Sequence, residues 1–154
     1  MDFTTILKPD AIKVIGSATS KKRLFQSLGE VASDAYGIPV SRAMEALQER
    51  ENLGPTGVGK GVALPHARLS GLTGVSTVFL RAEAPLDFGS VDRQPVDLFF
   101  ALFAPEDAGV EHLKALALVS RTMRDPGICA KLRANTGPAT LYTILTEELP
   151  SQAA

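Results

Sequence analysis

The stretch from Val96 to Phe103 constrains the fold more than any other part of this sequence. It reads Val-Asp-Leu-Phe-Phe-Ala-Leu-Phe and is nearly all apolar. A run of this kind is typical of a central strand covered on both faces, because a strand with one wet face alternates apolar and polar residues. The longest apolar run, from Leu98 to Pro105, is far below the roughly 20 residues that a membrane helix needs. We therefore expect a buried sheet flanked by helices, and no membrane insertion.

The rest of the chain alternates between helical and extended patterns. Leu24, Leu28 and Val31 recur at helical spacing, between a capping Ser20 and a terminating Gly37. The connections among the predicted strands are too short to hold crossover helices, so the sheet is predicted to be mixed. The predicted fold class is a three-layer α/β/α sandwich with a mixed sheet. The predicted helices cover 20–37, 41–53, 110–124, 126–133 and 138–147. The predicted strands cover 62–64, 75–81 and 96–103. We also predict an extended or turn segment over 5–16, a bend over 85–89 and a frayed tail over 150–154.

The composition limits the classes of protein to which the chain can belong. Its 154 residues are the usual size of one domain, predicted to span 1–154, and a formal net charge of −1 gives no basic excess for nucleic acid or an anionic membrane. A single cysteine, Cys129, cannot form an internal disulfide and is predicted to be a small buried hydrophobe. The N-terminus lacks the apolar core and cleavage site of a signal peptide. We expect a soluble cytoplasmic protein.

A glycine-rich segment precedes one of only two histidines. Residues 54–61 read Gly-Pro-Thr-Gly-Val-Gly-Lys-Gly, with four glycines in eight positions. The glycines allow a ligand or another loop to approach the backbone closely. Lys60 is followed by Gly61 rather than Ser or Thr, which excludes a nucleotide-binding P-loop. Pro65 restricts the backbone directly before His66, so the chain enters this histidine in a constrained direction.

The two histidines are the candidate reactive groups. An imidazole with an ordinary pKa of about 6.5 is mostly neutral in cytosol, as a phosphoryl acceptor must be. Arg50, Arg68 and Lys60 are the nearby cations in sequence, and arginine pairs well with phosphoryl oxygens. His112 falls in the first turn of a predicted helix, where backbone amides favour an anion. If that helix end meets the end of strand 62–64, both imidazoles face one site.

The residue types alone leave other interpretations open. By residue type, a lone histidine such as His66 at a strand end more often has a structural or incidental role, and for His112 a solvated position in a first helical turn is favoured still more. The two histidines and Asp97 are potential zinc ligands, but the chain has neither an HExxH motif nor a Cys-His cluster. Arg50 lies on a helix whose exposed face would carry an arginine anyway. From the residues alone, His66 is a plausible site and nothing firmer.

The segment around His66 resembles a known active-site signature. Residues 57–68 read G-V-G-K-G-V-A-L-P-H-A-R. This is similar to T-G-[IV]-G-N-G-[IV]-A-[IL]-P-H-[GA]-[RK] of the fructose/mannitol-type enzyme IIA domains of the bacterial phosphoenolpyruvate-dependent phosphotransferase system. The resemblance covers about 5–148 and is greatest to the nitrogen-regulatory branch, which shares the pattern Q-P-V-D-L-x-F-x-L-x-A-P. It extends through Arg50-Glu51, Gln94 to Leu98, Glu111 to Leu116 and the closing helices.

The resemblance implies a mixed-sheet α/β sandwich and a phosphohistidine carrier that needs no metal or organic cofactor. His66 corresponds to the phosphoryl acceptor, through Nε2, and His112 and Arg50 to the flanking active-site residues. Phosphoryl groups would arrive from an HPr-like carrier protein, and regulatory targets in this family include potassium transport and sensor-kinase proteins. Lys60 and Pro55 depart from the usual Asn and Ser of the nitrogen branch. The phosphoryl-site loop would comprise Thr56, Gly57, Gly59, Gly61 and Arg68.

Two other functions compete with this regulatory relay. One is a sugar-specific enzyme IIA that passes its phosphoryl group to a fructose/mannitol-type permease. The other is an interaction module that keeps the fold without the chemistry. The presence of His66, His112 and Arg50 together favours a protein that transfers phosphoryl groups.

Overall fold

A computed structural model describes residues 1–147, in which six strands form one mixed sheet with helices packed on it. The frayed tail predicted at 150–154 lies outside the described residues. A short 3-10 helix, Pro9–Ala11, precedes the first strand. The strands are β1 (Ile12–Ile15), β2 (Gly57–Gly59), β3 (Val62–Ala63), β4 (His66–Leu69), β5 (Ser76–Leu86) and β6 (Val96–Pro105). The helices are α1 (Phe3–Ile6), α2 (Lys21–Tyr36), α3 (Val40–Asn52), α4 (Gly109–Met123), α5 (Pro126–Arg133) and α6 (Pro138–Glu147).

The sheet has the order β1-β5-β6-β3-β2 and combines both strand directions. β5 and β6 are antiparallel, whereas β1 runs parallel to β5 and β3 parallel to β6. β4 also pairs in parallel with β6, on the same side of that strand as β3 but nearer its C-terminal end. Ala63 is opposite Phe99, and His66 is opposite Leu102. The predicted mixed sheet is confirmed.

Two neighbouring phenylalanines of β6 show that helices cover both faces. Successive side chains of a strand point to opposite faces. The ring of Phe99 lies 5.4 Å from Phe88, which in turn packs 5.8 Å from Phe25 of α2. The ring of Phe100 stacks at 5.4 Å on Phe3 of α1. α3 packs beside α2, and α6 packs beside α1, so the predicted three-layer arrangement is confirmed.

The central strand is the core of the molecule. Every residue of β6 except Asp97 is buried, as the apolar pattern predicts for a strand covered on both faces. Burying a side chain of the size of Leu or Phe contributes about 1.5–3 kcal/mol relative to leaving it exposed, so this strand contributes strongly to the stability of the fold. Within residues 1–147, no helix has the length and apolar character required to cross a membrane.

The predicted ends of the first long helix are confirmed. The Ser20 hydroxyl oxygen accepts a hydrogen bond from the Arg23 amide at 3.1 Å, as an N-cap does. Gly37 follows the last turn with φ +73°, the left-handed conformation that ends many helices. The other long helices lie within one or two residues of their predicted bounds, since α3 starts at Val40 and α4 at Gly109.

Several short strands differ from the sequence prediction. Residues 12–15 form β1, and the glycine-rich segment contributes β2, which pairs antiparallel with β3. β3 stops at Ala63, and His66 begins β4 rather than following the end of a strand. β5 continues through Pro85 to Leu86, where a bend was predicted. The proline is tolerated because the β5–β6 register shifts between Arg81 and Leu86.

Candidate phosphoryl-transfer site

A cleft of about 370 Å³ brings four predicted side chains together. Arg50 comes from the last turn of α3, His66 and Arg68 from β4, and His112 from the first turn of α4. These elements meet because β4 pairs with β6, and α4 follows β6 directly. The remaining lining residues are Ala46, Glu49, Leu53 and Ala67.

The chain's own backbone orients the His66 ring. Nδ1 of His66 lies 2.8 Å from the carbonyl oxygen of Leu64. A carbonyl oxygen only accepts hydrogen bonds, so Nδ1 carries the proton and Nε2 holds the free lone pair. Pro65 separates the two residues, and its carbonyl accepts from the Leu102 amide at 2.9 Å, which ties the link between β3 and β4 to β6. Nε2 is therefore the ring nitrogen with the free lone pair.

His112 lies beside His66 and is buried. Their ring centroids are 5.8 Å apart, at an interplanar angle of 67°. His112 is only 6% exposed, so it is not the solvated first-turn histidine of the alternative interpretation. Its Nδ1 is buried and makes no hydrogen bond within residues 1–147. The second imidazole is thus a polar group held next to the candidate acceptor.

The environment of each imidazole favours its neutral form. Burial is the largest cause and lowers the pKa of His66, and the hydrogen bond to the Leu64 carbonyl opposes it in part. The Arg50 guanidinium, with a smaller effect, lowers the pKa again, and Glu51 raises it least. The pKa of His112 is also lowered, first by burial and then by His66 and Arg68. A neutral imidazole keeps the lone pair that phosphoryl acceptance requires.

We expect both imidazoles to titrate below pH 6.5, the ordinary histidine value. The pKa values of the two histidines are lower in the folded state than in the unfolded state. Their contribution to the free energy of unfolding is therefore complete above pH 6.5, and it is lost as the pH falls below that value. An NMR titration of the imidazole Cε1–H signals, assigned with His112→Ala, measures the two midpoints. A midpoint for His66 at or above 6.5 would contradict the neutral-acceptor geometry.

Two arginines supply positive charge to the cleft. Nη1 of Arg50 donates to the Gly54 carbonyl at 3.0 Å, which holds the guanidinium at the end of α3. Arg68 is exposed, and its Nη1 lies 3.5 Å from the Glu106 carbonyl. Guanidinium groups form short, charge-assisted hydrogen bonds with phosphoryl oxygens. The cleft therefore combines an imidazole with a lowered pKa and cations that suit an anionic group.

Thr56 is held by a buried carboxylate rather than exposed in the cleft. Its hydroxyl donates to Oε1 of Glu51, and its amide donates to Oε2 of Glu51 at 3.1 Å. The Lys21 ammonium of α2 lies 2.9 Å from the same Oε2. Sequence reasoning assigned Glu51 no role, although it follows Ala43 and Leu47 at four-residue spacing on the buried face of α3. That spacing is the sequence feature that indicates burial of Glu51.

The glycines of the predicted phosphoryl-site loop pack against the protein itself. A Cβ on Gly57 would lie 2.9 Å from the Cα of Ser90, and a Cβ on Gly61 would lie 2.5 Å from Nη2 of Arg133. Gly61 also has φ +81°, a conformation that favours glycine. Gly59 faces the Asp92 carboxylate. None of the three glycines, nor Thr56, lines the His66 cleft, so their role as its wall stays a prediction.

Asp97, a potential zinc ligand by residue type, forms an ion pair with Arg133. Nε of Arg133 donates to Oδ2 of Asp97, and Nη2 donates to Oδ1, each at 2.9 Å. The same Nη2 donates to the Lys60 carbonyl at 2.9 Å, so this pair anchors the glycine-rich segment. Within the described part of the chain, no cluster of three or more His, Cys, Asp or Glu side chains has metal-binding geometry. The predicted burial of Cys129 is confirmed.

Comparisons with known proteins show the family of this chain. The family described as "Phosphoenolpyruvate-dependent sugar phosphotransferase system, EIIA 2" matches residues 5–148. The nitrogen regulatory protein of Bradyrhizobium diazoefficiens is 43% identical, over 94% of this chain and 95% of that protein. The crystal structure of nitrogen regulatory protein IIA-Ntr from Neisseria meningitidis superposes with a TM-score of 0.85 at 34% identity, covering 92% of this chain and 97% of that one.

A more distant structure shares the fold alone. The mannitol IIA protein of Escherichia coli superposes with a TM-score of 0.74, over 90% of this chain and 97% of its own, at 19% identity. The match to the family extends over nearly all of the described chain, and it includes the elements that carry His66, His112 and Arg50. This chain belongs to the enzyme IIA type 2 family of the phosphoenolpyruvate-dependent sugar phosphotransferase system.

Proposed function

We propose that this protein is a phosphohistidine carrier of the nitrogen-regulatory type, which accepts a phosphoryl group on Nε2 of His66 from an HPr-like protein. The observation that carries the proposal is the hydrogen bond from Nδ1 of His66 to the Leu64 carbonyl. It leaves Nε2 as the free nucleophile of a side chain that lines a cleft with two arginines. Family membership and the similarity to nitrogen regulatory proteins support the same function.

The proposed reaction needs only alignment and charge. The Nε2 lone pair of His66 attacks phosphorus in line, the new N–P bond forms, and the N–P bond to the donor imidazole breaks. The proton on Nδ1 stays in its hydrogen bond to Leu64, so His66 neither gains nor loses a proton. Phosphoryl transfer depends mainly on positioning and electrostatic stabilisation, which Arg50 and Arg68 supply through their positive charge. We assign neutral His112 as a hydrogen-bond donor to a phosphoryl oxygen.

Exposed apolar side chains suit docking of the donor protein. Leu53 of the cleft is 84% exposed, and Leu113, directly after His112, is 65% exposed. Val110, one turn earlier on the same helix end, is 64% exposed. Large exposed apolar groups close together mark interaction surfaces. We assign these three residues to the apolar collar against which an HPr-like carrier docks.

Phosphorylation would change which proteins this surface binds. A phosphoryl group adds about 1.5–2 negative charges and strong acceptor oxygens at the interface, which favours one partner and repels another. Potassium transport proteins and sensor kinases are the candidate targets. The similarity to the mannitol protein is one of fold only, so it does not favour sugar transport over regulation. A cytoplasmic location follows from a donor that works in the cytoplasm.

Incubation with phosphoenolpyruvate, enzyme I and the HPr-like carrier tests this function. We expect one acid-labile, alkali-stable phosphoryl group per chain, seen by intact mass and by 31P NMR. Omission of the carrier is the control and should leave the chain unlabelled. Acid-stable label, or no label in the complete system, would refute the proposal.

A further inference from the structure

A second cleft, of about 300 Å³, lies between the glycine-rich segment and α5. It shares no lining residue with the His66 cleft. Its volume is at the lower end of the range for small-molecule sites, which excludes bulky ligands. The lining residues are Lys60, Val62, Met123, Arg124, Pro126, Cys129, Ala130 and Arg133.

The interior of this second cleft is apolar. Val62, Met123 and Cys129 are 2%, 4% and 6% exposed. The Cys129 thiol donates to the Met123 carbonyl at 3.2 Å, and burial raises its pKa, so it is a neutral, weakly polar group. These side chains form a surface suited to a compact hydrocarbon group rather than to a bare ion.

The rim of the second cleft carries three cations. Arg133 is balanced by Asp97, whereas Lys60 and Arg124 are exposed and make no ion pair with any residue in 1–147. Asp125, the nearest carboxylate along the chain, accepts from the amides of Gly127 and Ile128 as the N-cap of α5. Three of the residues that line the cleft are therefore cations and none is a carboxylate, while Asp97 and Asp125 act on Cys129 from outside the lining and Asp92 binds the Lys60 amide.

The backbone of the rim is fixed in place. Lys60 has φ +57°, and its amide donates to Oδ2 of Asp92 at 2.9 Å. Its carbonyl accepts from Nη2 of Arg133, also at 2.9 Å. A side chain presented from a fixed backbone loses less conformational freedom when a ligand binds. The cleft thus combines a buried apolar interior with preorganised positive charge.

We propose that this second cleft binds a small amphipathic anion, with a compact apolar body against Val62, Met123 and Cys129 and a carboxylate or phosphate at Lys60 and Arg124. The two parts of the cleft each select one part of such a ligand. Neither an apolar molecule nor a small anion alone uses both. The proposal is independent of phosphoryl transfer at His66.

Three matched probes test the ligand class by ¹H–¹⁵N NMR. Phenylacetate has both parts, benzyl alcohol has the apolar body, and acetate has the charge. We expect phenylacetate to shift the amide signals of Lys60, Val62 and Ala130, and to bind at least roughly tenfold more tightly than the other two. No shift at these amides, or shifts confined to His66 and Arg50, would overturn the proposal. Equal affinities for phenylacetate and benzyl alcohol would also overturn it.

Two variants locate the binding. Arg124→Gln should weaken phenylacetate roughly tenfold and leave benzyl alcohol unchanged. Ala130→Leu, which fills the cleft from an exposed position, should weaken both probes. Arg121→Gln removes an exposed arginine of α4 that does not line the cleft, and it should change nothing. Dispersed amide spectra verify that each variant folds. Wild-type affinity for phenylacetate in both Arg124→Gln and Ala130→Leu would refute the site.

Discussion

His66→Ala abolishes phosphoryl acceptance, and His112→Ala slows it roughly a hundredfold; these are the largest functional effects that we expect. The first substitution removes His66, which within residues 1–147 is the one histidine whose Nε2 is left free by a hydrogen bond at Nδ1. The second leaves the nucleophile in place but removes a buried imidazole 5.8 Å away, which we assign as a donor to the phosphoryl oxygens. Initial rates of label transfer from the phosphorylated HPr-like carrier measure both effects.

Matched variants separate loss of chemistry from loss of fold. His66→Gln keeps a side chain of similar size and polarity, and it should be as inactive as His66→Ala. Thermal unfolding of every variant shows whether the protein remains folded at the assay temperature. If His66→Ala accepts label at the wild-type rate, His66 is not the acceptor. A wild-type rate for His112→Ala would remove His112 from the chemistry.

Glu51→Ala should lower the free energy of unfolding by about 3 kcal/mol, the largest stability effect that we expect. The Glu51 carboxylate is buried and accepts from the Thr56 hydroxyl, the Thr56 amide and the Lys21 ammonium. Removal of this carboxylate leaves the buried Thr56 amide without a hydrogen-bond acceptor. Lys21 stays in partial contact with water, so the loss is smaller than for a fully buried ion pair. The midpoint of thermal unfolding should fall by roughly 6–12 °C.

Two controls make this result specific. Glu45→Ala removes an exposed carboxylate from the same helix and should change the free energy of unfolding by less than about 0.5 kcal/mol. Glu51→Gln keeps the size and one acceptor oxygen, and it should fall between Glu51→Ala and the wild type. Equal stability of Glu51→Ala and Glu45→Ala would show that the carboxylate does not stabilise the fold.

The long elements were predictable because their signals are local. The apolar run of β6 requires cover on both faces, and the caps Ser20 and Gly37 act within a few residues of the helix that they bound. Helices α4 to α6 follow from spacing and from breaks such as Pro126 and Pro138. These features depend little on distant contacts, so sequence reasoning found them.

The short strands were missed because distant partners create them. β1 has four residues and exists through pairing with β5, more than sixty positions away. Gly57–Gly59 has low intrinsic strand propensity, and it becomes β2 only against β3 and beside Ser90. The meeting of His66 and His112 is of the same kind, since it depends on the register of β4 against β6. Residue types alone left it as a hypothesis, and the family resemblance implied it.

The hydrogen bond from Nδ1 of His66 to the Leu64 carbonyl determines which ring nitrogen stays available for phosphorylation. The anchor is a peptide group two residues upstream, and no mutation changes a peptide carbonyl except by moving the chain. Substitution of Arg50, Arg68 or His112 would thus alter how fast the adduct forms, while its position on the ring stays the same. A backbone carbonyl, rather than a side chain, thus determines which imidazole nitrogen is free to accept a phosphoryl group.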